Sequence, residues 1–478
     1  MLPYDRVVSP PALGRLLAGW ETDDSHAYVA LASRISLLVL DGRVSLRTRL
    51  PSERELASVL NLSRATVAKA YARLRERGFL ASQQGSGSWI RLPGDSTQPP
   101  SGVSMESVPG LIDLRQASPS APSGLHIAVQ AAADDLPRHL KDNGYSLDGL
   151  PALRSIIAQR YQEQGAPTMA EQIHVTSGAQ HALGLVLRAF TKPGDRILVD
   201  DPTYPNGLDA IRQAGLRPVS VPLTNQGWDL DMFAATLRRT DARVAYLIPD
   251  FHNPTGFLLN EDGRERLAAI AARNRTILVI DETMRELGVD TKPLAPLSAY
   301  AKSGQIISLG SASKSFWGGL RVGWIRTDLE KFGSLTQTRR SVDLGTPILE
   351  QLIAAYLLTH DDDYLPQRIQ SLREQRDALI GALTQHVSNW SWRSPEGGLS
   401  LWVDLGEAVS SKLAANAPDF GLSIVAGPRF GADGGHERHL RIPFTLPIDS
   451  YQEIGERLGQ LASSPLRTRR VKAESGVI

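Results

Sequence analysis

Between residues 190 and 310 short apolar runs recur along the chain, each bounded by polar or turn-forming residues. They are Arg196–Val199, Arg243–Ile248, Thr276–Ile280 and Gln305–Leu309. Unbroken apolar runs of this length suit strands buried on both faces of a parallel sheet. Segments of helical periodicity stand between and around them, such as GAQHALGLVLRAF from Gly178 and EDGRERLAAIAARN from Glu261. The alternation predicts a doubly wound α/β domain. From about Asp343 the pattern changes. Helical stretches (LEQLIAAYLLT, RIQSLREQRDALIGAL) come first, then GGLSLWVDL and HLRIPF, which read as strands. This predicts a separate α+β lobe.

The N-terminal part is different. PSERELASVL reads as a helix with Ser52 as N-cap and Glu55 three residues on, a capping box. NLSRATVAKAYARLRERG reads as a second helix, capped by Ser63 and stopped by Gly78. Val67, Ala70, Tyr71 and Leu74 form its apolar stripe. FLASQQGSGSWI then reads as a hairpin with Gly85 and Gly87 at its tip. Two helices joined by a short turn fit a helix-turn-helix, whose second helix enters the major groove by its N-terminal end. Residues 92–110 are rich in Pro, Ser and Gly and read as a linker. The expected division is therefore a small module at 27–91, the linker, and a large domain at 111–464. Its large lobe covers about 140–340 and its small lobe about 343–464. The basic, polar tail after Ser463 reads as frayed.

Composition narrows the chemistry. The 478 residues include no cysteine, which excludes disulfides, thiolate catalysis and cysteine-based zinc sites. No apolar run reaches the ~18 residues of a membrane span, and no signal-peptide pattern opens the chain, so a cytoplasmic protein is expected. The net charge is +1, but residues 27–91 hold 11 basic and 4 acidic side chains, a local excess of +7. A basic module on a slightly acidic body suggests a polyanion as partner.

The candidate chemistry centres on SASKSFWGGLRVGW, Ser311 to Trp324. A lysine is a poor nucleophile as an ammonium; burial beside other cations lowers its pKa and lets it condense with an aldehyde. Arg321, seven residues after Lys314, offers both that cation and a phosphate clamp. Pyridoxal 5′-phosphate fits as guest, and the chain supplies its other needs, each after a predicted strand. Asp281 is a carboxylate for the pyridine nitrogen, at the strand edge where open α/β sheets bind ligands. Ser177, Gly178, Ala179 and Gln180 open a helix, where backbone N–H groups receive phosphate. Tyr204 is a ring to stack on, and Asn253 a donor for the phenolic oxygen. A strand followed by SxxK also fits a serine nucleophile with a lysine base, but the accompanying S-D-N and K-T-G elements do not follow Lys314.

Two resemblances follow from these motifs. LPSERELA, LSRATV, AYARL, RGF and GSG stand in the order of the winged helix-turn-helix of the GntR family. The resemblance implies that Arg54, Arg64 and Thr66 meet double-stranded operator DNA, with Gln84 and Gly85 of the wing at the minor groove. TSGAQ, DPTY, HNPTG, the strand-end aspartate and SASK…R resemble the fold type I aminotransferases over about residues 111–460. That likeness implies Lys314 as the lysine linked to pyridoxal phosphate, Asp281 on the pyridinium, Asn253 on O3′ and Tyr204 stacked. It implies a phosphate clamp of Ser177, Gly178, Ala179, Gln180, Ser311 and Arg321. Arg441 in HLRIPF matches the arginine that holds an amino-acid carboxylate, and Tyr145 the tyrosine that reaches the partner subunit's cofactor. One departure is plain: where the family places a tyrosine two or three residues beyond the aspartate, this chain has Thr283 and Met284.

Together the halves resemble the MocR branch of bacterial transcription regulators. That likeness implies a head-to-tail homodimer that binds DNA and senses pyridoxal phosphate or an amino compound condensing with it. A working aminotransferase, and a sensor of pyridoxal phosphate alone, are the alternative functions left open.

Overall fold

A computed structural model describes residues 6–18, 26–40, 44, 48–83, 87–91, 111–301 and 304–465. In the N-terminal module, Ser52 caps the helix Glu53–Leu60. Its hydroxyl accepts from the Glu55 amide while the Glu55 carboxylate takes the Ser52 amide, closing the capping box. Asn61 turns the chain at φ 54°, and Ser63 caps the helix Arg64–Glu76. Val67, Ala70, Tyr71 and Leu74 are buried as the periodicity requires, and the Tyr71 hydroxyl finds the Pro51 carbonyl at 2.8 Å. Strands Leu80–Gln83 and Gly87–Ile90 pair antiparallel as the wing.

Two features lie outside the expected 27–91 module. Arg6–Val7 pairs with the inner strand Thr48–Arg49 and so extends the wing into a four-stranded sheet. The helix Pro10–Leu16 and the turn after it bring Leu13 and Leu17 into the same core as Leu31, Ile35, Leu56 and Leu74. The chain before Ala27 is thus part of this module's core. Its short PPALGRLL stretch has too few turns for periodicity to reveal a helix.

The second domain is built on an eight-stranded sheet. Its spatial order is Ile173–Thr176, Gly323–Arg326, Ile306–Ser311, Ile277–Asp281, Val244–Leu247, Arg196–Asp201, Arg217–Thr224, Gly227–Trp228. The five strands from Ile306–Ser311 to Arg217–Thr224 are parallel. The outer pairs are antiparallel. All four apolar runs of the sequence are strands here, with ends shifted by one or two residues. Gly310 and Gly323 let neighbouring strands close up: a Cβ on Gly310 would meet the Trp324 ring at 2.1 Å, and one on Gly323 the Gly178 backbone at 2.7 Å.

The smaller lobe carries a sheet in the order Ser391–Trp392, Ser400–Asp404, His439–Pro443, Val425–Ala426, backed by helices Asp361–His386 and Ser450–Ser463. Past the expected boundary near Asp343, helix Ile348–Thr359 packs with Leu153, Ile157 and Val175 of the large lobe, and the 26-residue helix from Asp361 passes from Tyr364 in that cluster to Leu372 and Leu379 in the small-lobe core. LEQLIAAYLLT is apolar nearly all round, and such a helix gives no sequence signal for which body buries it. Strand Ile112–Asp113 joins the small lobe by pairing in parallel with Leu422–Ser423. Among the described residues no helix is long and apolar enough to cross a membrane.

Candidate functional site

Strand Ile306–Ser311 runs into a short helical turn, Ala312–Ser315, that presents Lys314. Ser311 holds this turn. Its hydroxyl accepts from the Ser313 amide at 3.1 Å and contacts the Val322 carbonyl at 3.2 Å. Lys314 Nζ donates to the Ala117 carbonyl at 2.9 Å. Burial first, and then the charge of Arg441, push the Lys314 ammonium down to about 8; Asp281 opposes this and Arg321 adds to it. Relative to the ordinary lysine value, that leaves roughly 300 times more free amine at neutral pH. The aggregate of cations around one lysine is what the sequence reading required, although Arg441 outweighs Arg321 as their source.

Asp281 ends its strand buried, with both carboxylate oxygens engaged. Oδ2 accepts from the Tyr246 hydroxyl at 2.7 Å, and Oδ1 from the Thr283 amide at 3.0 Å. Burial raises the Asp281 carboxyl, and the bonds from Tyr246 and Thr283 and the Lys314 charge oppose that rise. Tyr246 comes from the adjacent parallel strand and is itself fully buried. Its ring fits only because residue 207 is glycine, where a Cβ would stand 2.9 Å from Tyr246 Cε1. The sequence reading missed Tyr246, yet a signal existed: a phenol inside an otherwise apolar buried strand must find a partner. Thr283 turns back onto Asp281, while Met284 is buried in the small-lobe core with Leu287 and Leu372. Neither supplies the donor that a tyrosine would.

We expect Tyr246→Phe to lower cofactor affinity on the order of tenfold, the usual weight of one bond to a charged group. The fold should survive, because the ring remains. Fluorescence titration of wild type and variant with pyridoxal phosphate measures this, and equal affinities would remove Tyr246 from the site.

The remaining groups converge from other strand ends. Gly178, at φ 93°, precedes helix Ala179–Phe190, whose first N–H groups have no partner within the helix. Arg321, in the left-handed region at φ 52°, donates to the Ser177 carbonyl at 2.9 Å. A Cβ on Gly178 would come within 2.7 Å of Arg321 Nη2, so the glycine makes room for the guanidinium beside the helix start. The Ser177 amide is used by His181 Nδ1 at 3.1 Å, and the Gln180 side chain by the Asn206 carbonyl at 3.0 Å. At those two positions the Ser177 hydroxyl and the Gln180 amide remain for an anion. Tyr204 is half-buried; its hydroxyl accepts from Asn206 Nδ2 at 3.0 Å, and burial raises it to about 12. Asn253 is buried, and its Oδ1 has no partner among the described residues.

Arg441, on strand His439–Pro443, is fully buried over the Phe430 ring at 5.2 Å. Burial brings it down to about 10. Its Nη2 donates to the Arg115 carbonyl; its Nε and Nη1 have no partner among the described residues. A buried guanidinium with two free N–H edges is a receptor for a planar anion. Tyr145 is 67% exposed and stands apart from these groups. Among the DNA-directed residues, Arg54 is exposed and Arg64 is 74% exposed at the start of its helix, with Glu53 at 3.7 Å. Thr66 Oγ1 shares a hydrogen bond with Ser63 at 2.8 Å. Gln84 and Gly85 lie outside the described residues. No cluster of metal-ligating side chains occurs among the described residues.

The sequence matches two family models: aminotransferase class I and II over residues 112–458, and bacterial regulatory proteins, gntR family, over residues 27–90. The aromatic-amino-acid aminotransferase 1 of Thermococcus litoralis is 32% identical over 67% of this chain and 79% of its own. An uncharacterized HTH-type transcriptional regulator of Bacillus subtilis, YdfD, is 26% identical over 88% of this chain and 94% of its own. Among solved structures, the alpha-aminoadipate aminotransferase LysN of Thermus thermophilus, complexed with N-(5′-phosphopyridoxyl)-L-leucine, superposes with a TM-score of 0.69. It is 30% identical and covers 74% of this chain and 92% of its own. Class I and II aminotransferases depend on pyridoxal phosphate. The residues present fit that group: a cradle at Gly178 that a Cβ would fill, a strand-end carboxylate and a lysine of lowered pKa. A gntR-type reading head thus precedes a cofactor-shaped site of aminotransferase build, and the chain belongs to the aminotransferase class I and II family in its MocR-type regulator form.

Proposed function

We propose that this protein regulates transcription from double-stranded operator DNA, holds pyridoxal 5′-phosphate at Lys314, and responds to that cofactor or to an amine condensing with it. The observation that carries the reading is the placement of Lys314 between a carboxylate, Asp281, and two cations, Arg441 and Arg321, in a chain headed by a DNA-binding module. When bound, the cofactor supplies an aldehyde carbon that condenses with amines and a ring that accepts electron density. The protein's part is placement. Lys314 Nζ offers a free amine near neutral pH. Asp281 would keep a proton on the ring nitrogen, with Tyr246 and Thr283 fixing its carboxylate. Asn253 would donate to the phenolic oxygen, and Tyr204 would pack against the ring. Arg321, Ser311 and the helix start at Ser177–Gln180 hold the phosphate. Arg441 then takes the carboxylate of an incoming amino acid in a dry setting, where a charge pair is strong.

Tyr145 completes the site of a second copy in a head-to-tail dimer. In support, it is exposed beside Leu344, on loops packed together where Gly345 approaches Ser146, and a large apolar side chain left bare suits an interface. A regulator of this kind works in the cytoplasm. Turnover is the second reading, favoured by the complete set of cofactor groups. The lack of a tyrosine donor at Thr283 weighs towards a ligand that stays.

The test is operator affinity of the full chain, by fluorescence anisotropy, with and without pyridoxal phosphate and then with amino acids added. A shift of tenfold or more with the cofactor, with or without an amine, is expected, in the usual range of coupling between sites. A shift with cofactor alone that no amine changes identifies a cofactor sensor. Steady conversion to the pyridoxamine form identifies an enzyme, and identical affinities throughout reject the sensing role.

A further inference from the structure

Residues 112–118 cross between the two lobes at the site. The amides of Ile112 and Leu114 donate to the carbonyls of Gly421 (2.9 Å) and Ser423 (2.8 Å) in the small lobe. Arg115 folds back onto Asp113, its Nε and Nη2 each 2.9 Å from one carboxylate oxygen. Its carbonyl then faces Arg441 Nη2 and accepts from it. Two residues on, the Ala117 carbonyl accepts from Lys314 Nζ at 2.9 Å. Ser118 lies against the large lobe beside Gly318. Leu114 and Ala117 are buried. In sequence, the segment directly follows residues 92–110, which connect it to the DNA-binding module.

The amine that condenses with the cofactor, Lys314, and the guanidinium that would meet an amino-acid carboxylate, Arg441, are therefore already hydrogen-bonded to one stretch of backbone. A carboxylate that takes the free Nε and Nη1 of Arg441 sets a second acceptor beside the Arg115 carbonyl on Nη2, and the two repel each other at close range. Condensation at Lys314 Nζ removes the ammonium donor from Ala117. A buried carbonyl deprived of its donor is costly until it finds another or reaches water. The least disruptive response is movement of the segment, which is held to the small lobe by the pairing of only two residues.

We infer that residues 112–118 are a strap that ligand displaces: the carbonyls of Arg115 and Ala117 hold Arg441 and Lys314, and filling the site loosens the point at which the chain from the DNA-binding module is anchored. The inference rests on the cofactor reading given above. It supplies a physical link from ligand to linker, because occupancy and anchoring draw on the same two donors. Pyridoxal phosphate alone takes Lys314 Nζ from Ala117; an amino acid that replaces the lysine on the cofactor releases Nζ and brings its carboxylate to Arg441 instead.

Two measurements on the full chain test this, with pyridoxal phosphate and N-(5′-phosphopyridoxyl)-L-alanine as probes and their binding followed by absorbance. The first is hydrogen exchange of the Ile112 and Leu114 amides. We expect exchange about tenfold faster with either probe bound than in the free protein, with the cofactor because Ala117 loses its donor and with the adduct because its carboxylate crowds the Arg115 carbonyl. Unchanged or slower exchange with the adduct bound overturns the strap and leaves the cofactor reading standing. Failure of both probes to bind overturns the two together. The second is a staple. The chain has no cysteine, and a Cβ on Gly318 would lie 3.4 Å from Ser118 Oγ, near enough for a disulfide in Ser118→Cys/Gly318→Cys. The oxidised form should bind the adduct at least tenfold more weakly than the same protein reduced. Equal affinity in the two redox states also overturns the strap.

Discussion

Lys314→Ala removes the spectral shift that accompanies covalent capture of the cofactor, leaving only the spectrum of the unlinked aldehyde. That shift requires a covalent link to an amine, and Lys314 is the amine that faces Asp281, Arg321 and Arg441. The variant keeps the carboxylate for the ring nitrogen and the cradle for the phosphate. It should still take up the cofactor, at least a hundredfold more weakly, and release it on dialysis. The wild type makes a further pH-dependent prediction. The reacting species is the neutral amine, so cofactor capture speeds up as the ammonium loses its proton. With Lys314 down at about 8, the capture rate should rise about tenfold per pH unit below that value and level off above it. A lysine in its ordinary range would go on accelerating past pH 9. Stopped-flow absorbance across that range separates the two. A band that survives in Lys314→Ala and is fixed by borohydride onto another lysine would refute the assignment.

Arg64→Ala in the recognition helix should cost DNA affinity without costing stability. Arg64 is 74% exposed and has an acidic neighbour at 3.7 Å, so its loss changes unfolding free energy by about 0.5 kcal/mol or less. At the helix start it is placed to meet a base edge or a phosphate. One such contact is worth about 1–3 kcal/mol, or roughly 5- to 150-fold in affinity. The salt dependence tells the two apart. A lost phosphate contact lowers the slope of log affinity against log salt by about 1 and weakens all sequences alike, whereas a lost base contact relaxes preference at one position. Anisotropy titrations at several salt concentrations, with operator and scrambled DNA, measure both. Unchanged binding would place the DNA on another face of the module.

Much of the cofactor site could be read from the chain because its chemistry is carried by residue types at strand ends. A strand-end aspartate, a helix opened by glycine, a lysine and a following arginine each announce a role, and the structure brings Lys314, Asp281 and Arg441 into one electrostatic neighbourhood. The strap left no such trace. It acts through the carbonyls of Arg115 and Ala117, and every residue owns a carbonyl, so no side-chain pattern marks it. Tyr246 hid inside an apolar run, and helix Ile348–Thr359 carried no face to show which lobe it joins. Tyr145 shows a different limit: it is 67% exposed, and a role played in a second copy would leave no contact within one chain.

The pairing of Ile112–Asp113 with Leu422–Ser423 also orders events during synthesis. The DNA-binding module closes on itself: Leu13 and Leu17 precede the helices they pack against, and Ile90 ends its core, so it can fold soon after residue 91 leaves the ribosome. The second domain opens with a strand whose partner lies 310 positions downstream. At roughly 5–20 residues per second, that strand waits on the order of 15–60 s with its edge unpaired and Leu114 and Ala117 exposed. Through that interval a finished reading head trails an unfinished aminotransferase-like domain. The nascent chain can therefore engage DNA before its cofactor site is complete.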